Sequence, residues 1–198
     1  MLVKKIVNEL LTSNTYLISE QRYDDIWLVD IGDIRGVIDL LSNNNVVKGV
    51  FITHSHYDHI CGINQLIDIF PHCIIYTSIY GKLGLSSAKL NLSFYHENPI
   101  EYVGANIHIL NENDKVELYD NTFLEVVETP GHNWGSLSFI INDYLFTGDS
   151  FIPNVDVVTK LKGGDKEASK RSIHKIMKLI KKDTIICPGH GEMEKYHQ

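Results

Sequence analysis

The chain has 198 residues, of which 43% are hydrophobic and 22% charged, and its formal net charge is −7 at pH 7. This length and composition predict one globular domain over residues 1–198, and the negative charge argues against general nucleic-acid binding. No apolar stretch approaches the ~20 residues that would cross a membrane, and residues 1–6 lack the pattern of a signal peptide. The three cysteines show no CxxC spacing. They indicate free thiols in a reducing compartment, and we therefore expect a cytoplasmic protein.

Strand and helix patterns alternate through the first half of the chain. Short apolar runs predict strands at residues 3–9, 15–19, 26–30, 50–52 and 73–77. Helical spacing of apolar residues predicts helices at 33–41 and 60–70, and Asp58 lies where the second helix would have its N-cap. The alternation favours an α/β fold in which helices cover a sheet.

Residues 78–103 mix glycine, serine and aromatic residues, and they predict a short helix followed by an irregular loop. The aromatic residues Tyr80, Phe94, Tyr95 and Tyr102 are candidates for a substrate pocket. Anchoring the loop to the body of the domain is the more common role for such residues, and we favour it here.

Beyond residue 106 the pattern changes to short strands separated by turns rich in Asn and Asp, which is typical of hairpins. The predicted strands are 107–110, 115–118, 122–128, 137–141 and 144–147, followed by a last strand at 184–187. A helix is predicted over residues 165–182, with Ile173, Ile176, Met177 and Ile180 on its apolar face and its basic residues toward solvent.

Four potential metal ligands, His54, His56, Asp58 and His59, fall within six residues between a buried strand and a helix. A loop from strand to helix is the usual place for chemistry in an α/β sheet, and it can aim alternate side chains at two adjacent metals. The alternative is a capped helix preceded by ordinary surface histidines. We favour metal binding, because clustered His and Asp need a reason and further candidates follow.

Three later segments have the same order of parts: the end of a strand, a tight turn, and then a potential ligand. His132 follows Pro-Gly, Asp149 follows Thr-Gly, and His190 follows a second Pro-Gly. Pro restricts one backbone angle and Gly permits conformations closed to other residues, so these turns place a polar side chain rigidly beyond a strand. With the first cluster they supply five histidines and two aspartates, enough for two metals that share one carboxylate.

The pattern His54-x-His56-x-Asp58-His59, followed by His132, Asp149 and His190, resembles the metal-binding pattern of the metallo-β-lactamase-fold hydrolases. The match is best to the glyoxalase II-like branch, in which Thr-Pro-Gly-His and Pro-Gly-His-Gly also recur, and it extends from Asn14 to Gly191. The resemblance implies an αββα sandwich in a single domain. It also implies a first metal on His54, His56 and His132, a second on Asp58, His59 and His190, and Asp149 as the bridge.

By the same resemblance, the cofactor is a pair of divalent metal ions and the partner is a small-molecule substrate such as an ester, thioester or lactone. Ligands that are all nitrogen or oxygen suit zinc, with iron or manganese as alternatives. Two such metals hold a bridging water and lower its pKa enough to give hydroxide near neutral pH. Asp58 would also orient that nucleophile. Asp30 either supports the loop that carries the histidines or caps the following turn.

Three departures from the family pattern bear on the substrate. Aspartate at position 149, where some β-lactamases have cysteine, points away from antibiotic hydrolysis as the native task. The chain ends soon after His190, so we expect no helical C-terminal domain of the kind that holds glutathione in glyoxalase II. Lys160 or Lys162 is a candidate positive group for an anionic substrate.

Two other interpretations stay open. A mononuclear iron persulfide dioxygenase would share the fold and much of the motif, and a non-catalytic metal-binding or regulatory module would keep the fold but is expected to lose ligands. None of the seven positions is lost. The pattern specifies neither the substrate nor the oligomeric state. The cysteines and the other histidines are expected to pack or to face solvent; these histidines are His72, His96, His108, His174 and His197.

Overall fold

The structure is a computed structural model that describes residues 1–196, so His197 lies outside the described residues. Two six-stranded sheets pack face to face and helices cover their outer faces, which confirms the expected αββα sandwich. Between the sheets lies an aromatic layer, in which the rings of Phe51 and Phe139 join one sheet to the other with centroids 5.6 Å apart. Within residues 1–196 no helix is long and apolar enough to cross a bilayer.

The first sheet contains six strands that lie side by side in chain order. They are β1 (Leu2–Val7), β2 (Asn14–Ser19), β3 (Asp25–Val29), β4 (Val46–Phe51), β5 (Ile74–Thr77) and β6 (Ile107–Ile109). β1, β2 and β3 are antiparallel, whereas β3 to β6 run parallel and are joined by crossovers that carry helices. β4 begins at Val46, earlier than predicted, because its first half alternates exposed and buried residues.

The second sheet contains β7 (Lys115–Tyr119), β8 (Thr122–Glu128), β9 (Leu137–Ile141), β10 (Tyr144–Gly148), β11 (Ile185–Pro188) and β12 (Glu194–Lys195). β7 to β10 form the predicted antiparallel hairpins, and β11 pairs in parallel with β10. The sequence predicted that β6 belongs to the hairpins, but β6 is instead the edge strand of the first sheet. The short β12 was not predicted, because two exposed residues carry no apolar pattern.

The helices are α1 (Arg35–Ile38), α2 (Tyr57–Ile60), α3 (Ile63–Ile69), α4 (Ile79–Leu85) and α5 (Lys166–Leu179), with a 3₁₀ turn at Ser93–Tyr95. The single helix predicted over residues 60–70 is wrong, since Gly62 separates α2 from α3. A side chain on Gly62 would meet Ile31 and the backbone of Ile34. This close approach of another loop therefore favours glycine there.

Asp58 is not the N-cap that the sequence predicted. It lies inside α2, whose N-cap position is His56, in an extended conformation and without a side-chain capping bond. Helix α1 is one turn long, shorter than the predicted span 33–41. By contrast, α5 begins with a capping bond: the Asp165 carboxylate accepts hydrogen bonds from the backbone N–H groups of Glu167 and Ala168.

Helix α5 packs on the second sheet with Ile176, and Ile180 directly after the helix packs there too, as predicted, but Met177 is exposed. The buried face is instead completed by Ala168, Ser169 and Ser172 in the first half of the helix. Ser172 Oγ donates to the carbonyl of Pro130 at 2.6 Å, so this half is fastened to the turn that precedes His132. Periodicity alone does not report such small buried residues, which explains the difference.

Candidate metal centre

Four segments at one edge of the sandwich carry the seven predicted ligands. The loop after β4 carries His54 and His56, helix α2 directly after it carries Asp58 and His59, and the loops after β8, β10 and β11 carry His132, Asp149 and His190. β8, β10 and β11 point in one direction, so their carboxyl ends share an edge, which is the usual ligand-binding edge of such sheets. The structure brings all seven side chains together in three overlapping groups, and within each group the candidate ligand atoms lie no more than 4.8 Å apart.

The first group consists of His54, His56 and His132, all of them buried. Nε2 of His132 lies 2.9 Å from Nδ1 of His56. The ring of His54 lies nearly perpendicular to both, with centroids 4.6 Å from His56 and 4.8 Å from His132. Three imidazoles that converge in this way can present one nitrogen each to a single ion.

The second group consists of Asp58, His59 and His190. Oδ2 of Asp58 lies 3.2 Å from Nε2 of His190 and 3.5 Å from Nε2 of His59. His59 is fully buried, whereas His190 is partly open to solvent. The second group therefore lies nearer the surface on its His190 side.

Asp149 contacts both groups. Its Oδ1 lies 3.5 Å from Nε2 of His59, and its Oδ2 lies 3.5 Å from Nε2 of His132 and 3.6 Å from Nε2 of His190. One carboxylate thus faces a histidine of the first group and two of the second. This is the placement that a bridging ligand would need.

Asp30 orients the segment that carries His54 and His59 through hydrogen bonds to Thr53 and His59. Its Oδ1 accepts the backbone N–H of Thr53 at 2.7 Å, and its Oδ2 accepts the Thr53 hydroxyl at 2.7 Å and Nδ1 of His59 at 2.8 Å. Because the Thr53 hydroxyl donates to Asp30, it accepts from Nδ1 of His54, 3.1 Å away. These contacts favour the first of the two interpretations of Asp30, support of the loop that carries the histidines.

The same hydrogen bonds set which ring nitrogens face the centre. The Nδ1 atoms of His54 and His59 carry hydrogens that point to Thr53 and Asp30, and Nδ1 of His132 donates to the carbonyl of Val158 at 2.8 Å. The rings of His54 and His132 are thereby each left with an Nε2 lone pair that faces the centre, and Nε2 of His59 faces it as well. Second partners of this kind are typical of metal-binding histidines.

Three buried polar atoms at the centre have no hydrogen-bond partner within residues 1–196: Nε2 of His54, Nε2 of His59 and Oδ1 of Asp149. Buried polar groups are rarely left unpaired, because desolvating one without compensation costs about 1–3 kcal/mol. Their convergence, with nitrogen and oxygen donors only, fits a divalent cation.

The protonation states differ between the two groups. Burial lowers the pKa of His54, His132 and His56, the last to about 3, so these three imidazoles are neutral at pH 7. Burial also opposes charge on His59, but the carboxylates of Asp58, Asp149 and Asp30 together raise its pKa to about 10. The pKa of Asp58 lies well below its usual range, because His59 and His190 outweigh the effect of burial.

The turn that carries His190 is held by residues of β2 in the other sheet. The Asn14 side chain donates to the carbonyls of Pro188 and Gly191, each at 2.9 Å, and the Tyr16 hydroxyl donates to Pro188 at 2.7 Å. Sequence reasoning noted this stretch only as part of the family pattern. It did not predict that Asn14 and Tyr16 hold the His190 turn or that the Val158 carbonyl orients His132, because contacts between residues so distant in sequence leave no local pattern.

Residues 12–190 match the metallo-β-lactamase superfamily. The chain belongs to this superfamily. A probable metallo-hydrolase of Streptococcus pyogenes serotype M6 is 28% identical over 96% of this chain and 84% of that protein. The hydroxyacylglutathione hydrolase of Vibrio campbellii is 29% identical over 81% of this chain, and the match covers 55% of that enzyme. Among solved structures of the superfamily, the crystal structure of the BLEG-1 B3 metallo-β-lactamase is 26% identical and has a TM-score of 0.88 over 98% of this chain and 94% of that one.

Proposed function

We propose that this protein is a binuclear metal-dependent hydrolase of a small ester, thioester or lactone. The observation that carries the proposal is the position of Asp149, whose carboxylate lies within 3.6 Å of histidine nitrogens from both ligand groups. Membership of the metallo-β-lactamase superfamily and the likeness to a probable metallo-hydrolase support a metal-dependent hydrolase. In this proposal His54, His56 and His132 hold one ion, Asp58, His59 and His190 hold the other, and Asp149 is shared.

The nitrogen and oxygen donors favour zinc in both positions, with iron or manganese as alternatives. When bound, two such ions supply positive charge that lowers the pKa of a water and stabilises negative charge on the carbonyl oxygen of the substrate. The proposed place of action is the cytoplasm, which the three free thiols support.

Asp58 is the proposed catalytic residue. Its low pKa keeps the carboxylate ionised, so it only accepts hydrogen bonds and can hold a proton of the attacking water. In the reaction the water oxygen joins the acyl carbon and the bond from that carbon to sulfur or oxygen breaks. One proton passes to the leaving group and the other is released as the new carboxylic acid ionises.

The test combines metal analysis of the purified protein with a panel of substrates: a thioester, a lactone, a phosphodiester and a β-lactam. The β-lactam belongs in the panel because of the likeness to a B3 metallo-β-lactamase. We expect two metals per chain and turnover of thioester, ester or lactone. One iron per chain, with oxygen uptake on a persulfide, would overturn the proposal in favour of a dioxygenase. Two metals without turnover of any substrate would favour a non-catalytic module.

The variants His54→Ala and Asp149→Ala test the residues themselves. Both should lose turnover and normal metal content, because each removes a donor from the centre of the cluster. His72→Ala is the matched control, since His72 is exposed and belongs to neither ligand group. Full activity in both ligand variants would contradict the assignment.

A further inference from the structure

A small cavity opens directly beside the first ligand group. It has a volume of about 120 Å³, and its lining includes Ser55, Leu83, Asn133, Trp134 and Lys162. Ser55 lies between His54 and His56 in the chain, and Asn133 follows His132. The side-chain nitrogen of Asn133 lies 3.4 Å from Nε2 of His56. The cavity therefore lies next to the segments that carry His54, His56 and His132.

The walls of this cavity are apolar. Its lining includes Tyr80, Leu83, Leu90 and Trp134, and the ring centroids of Tyr80 and Trp134 lie 6.4 Å apart. Tyr80, Leu83 and Trp134 are each about half exposed, at 52%, 49% and 52%. Large apolar side chains left open to solvent beside a polar centre are typical of a ligand-binding surface.

Small residues allow helix α4 to pack closely against its neighbours. A side chain on Gly84 would overlap Oγ of Ser55, and one on Gly81 would overlap Thr77. The helix therefore lies directly on the histidine loop, with Leu83 beside Ser55. The Ser78 hydroxyl, at the N-cap of α4, also donates a hydrogen bond to the carbonyl of Gly135 at 2.8 Å.

Lys162 is the charged residue among those that line the cavity. Its side chain is exposed and forms no ion pair with any residue in the range 1–196. Lys160, the other candidate from the sequence, lines a different cavity together with Asp156 and Lys166. The structure thus separates two lysines that the sequence could not distinguish.

We propose that this cavity binds the acyl side chain of the substrate, and that the side chain is a short apolar group ending in a carboxylate, which Lys162 contacts. The volume admits an apolar group of about four non-hydrogen atoms, taking ~30 Å³ as the share of one water. This inference rests on the proposed function, because the hydrolase reaction places the scissile bond at the metal centre. It goes further by assigning a substrate class and the residues that select it.

The experiment compares two thioesters of N-acetylcysteamine with the zinc-loaded protein. One carries a hexanoyl group and the other is the monothioester of adipate. The two acyl chains are equally long, and they end in a methyl group and a free carboxylate, respectively. We expect the adipate compound to have the lower KM. Lys162→Ala should raise that KM about fivefold, as for the loss of an exposed ion pair, and leave the hexanoate KM unchanged. Lys160→Ala is the matched control and should change neither.

A second pair of variants tests the apolar wall. Leu83→Ser should raise the KM of both thioesters several-fold, because both acyl chains lose contact area. Ile69→Ser is its control, since Ile69 has the same 49% exposure as Leu83 but lies on α3 and outside the lining of the cavity. Equal effects of the two substitutions would overturn the role of Leu83.

Binding is measured separately by the fluorescence of Trp134 during titration with adipate. The chain has two tryptophans, and Trp27 is buried between the sheets, so Trp134→Phe identifies the signal. Saturable binding that Lys162→Ala weakens, in a protein that hydrolyses neither these thioesters nor any compound of the substrate panel, would keep the cavity as a binding site and overturn the proposed hydrolase. The cavity assignment alone would be overturned by hydrolysis with the same KM for both thioesters, if neither Lys162→Ala nor Leu83→Ser changes that KM. Absence of both binding and hydrolysis would also overturn the cavity assignment.

Discussion

Asp30 accepts the Nδ1 hydrogen of His59 at 2.8 Å, deep beneath the seven clustered side chains. Both residues are almost completely buried, at 2% and 0% exposure, so the bond is shielded from water. The same carboxylate holds Thr53 through two hydrogen bonds of 2.7 Å. One residue that is not itself a candidate ligand thereby orients His59 directly and His54 through Thr53.

Replacing Asp30 by asparagine should weaken metal binding about 10- to 100-fold, the usual effect of losing such a partner. The amide can place a donor against Nδ1 of His59, which favours the ring tautomer whose Nε2 carries the hydrogen and cannot bind a metal. The measurement is competition with a chelator of known affinity. Unchanged affinity, in a protein with a native circular dichroism spectrum, would show that Asp30 is only structural.

The two ligand groups should lose metal differently when single ligands are removed. His190→Ala should retain about one metal per chain, because His54, His56 and His132 are intact. Asp149→Ala should lower occupancy at both positions, since its carboxylate faces both groups. Metal content after dialysis, determined by mass spectrometry, distinguishes the two. Equal metal content in these variants would mean that Asp149 is not shared.

Metal affinity of the two groups should depend differently on pH. His54, His56 and His132 have lowered pKa values and are already deprotonated at neutral pH, so binding there releases few protons. Burial opposes charge on His59, but the three carboxylates raise its pKa to about 10, and Asp58 and Asp149 likewise raise that of His190 against the effect of burial. A metal at the second group must displace these protons.

Affinity of the second group should therefore increase as the pH rises from 6 toward 10, while that of the first group changes little over the same interval. Calorimetric titration in two buffers with different ionisation enthalpies counts the protons released at each step. The first metal bound should release fewer than the second. The reverse order would contradict the assigned protonation states.

Tyr16→Phe should destabilise the fold by about 0.5–1.5 kcal/mol, because it removes the hydroxyl that donates to Pro188 while keeping the ring, which packs against Phe146. Asn14→Ala should cost more, since its side chain holds two carbonyls of the His190 turn. Urea unfolding gives both values.

In the same variants, affinity for the second metal should fall more than affinity for the first, because only His190 among the candidate ligands belongs to this turn. Thr12→Ala is a suitable control, as its hydroxyl is exposed and bonds only to the neighbouring carbonyl of Leu11 among described residues. A uniform loss of both metals in Asn14→Ala would indicate a global effect instead.

Local patterns in the chain predicted most of the strands, helix α5, and seven candidate ligands that the structure brings together. Strand and helix periodicity reports which face of an element is buried, and the Pro-Gly turns and clustered histidines are contiguous in sequence. The αββα architecture was reached through the resemblance of this ligand pattern to a known family, and the two sheets confirm it.

Three-dimensional packing was needed for everything that depends on residues far apart in the chain. At the break between α2 and α3, Gly62 lies close to the Ile31 loop, and the buried Ser172 of α5 contacts the turn at Pro130. The tie from Asn14 to Pro188 spans 174 residues and joins two sheets. The choice between Lys160 and Lys162 likewise depends on which cavity each one lines. Such contacts arise when separate elements pack, so no local pattern records them.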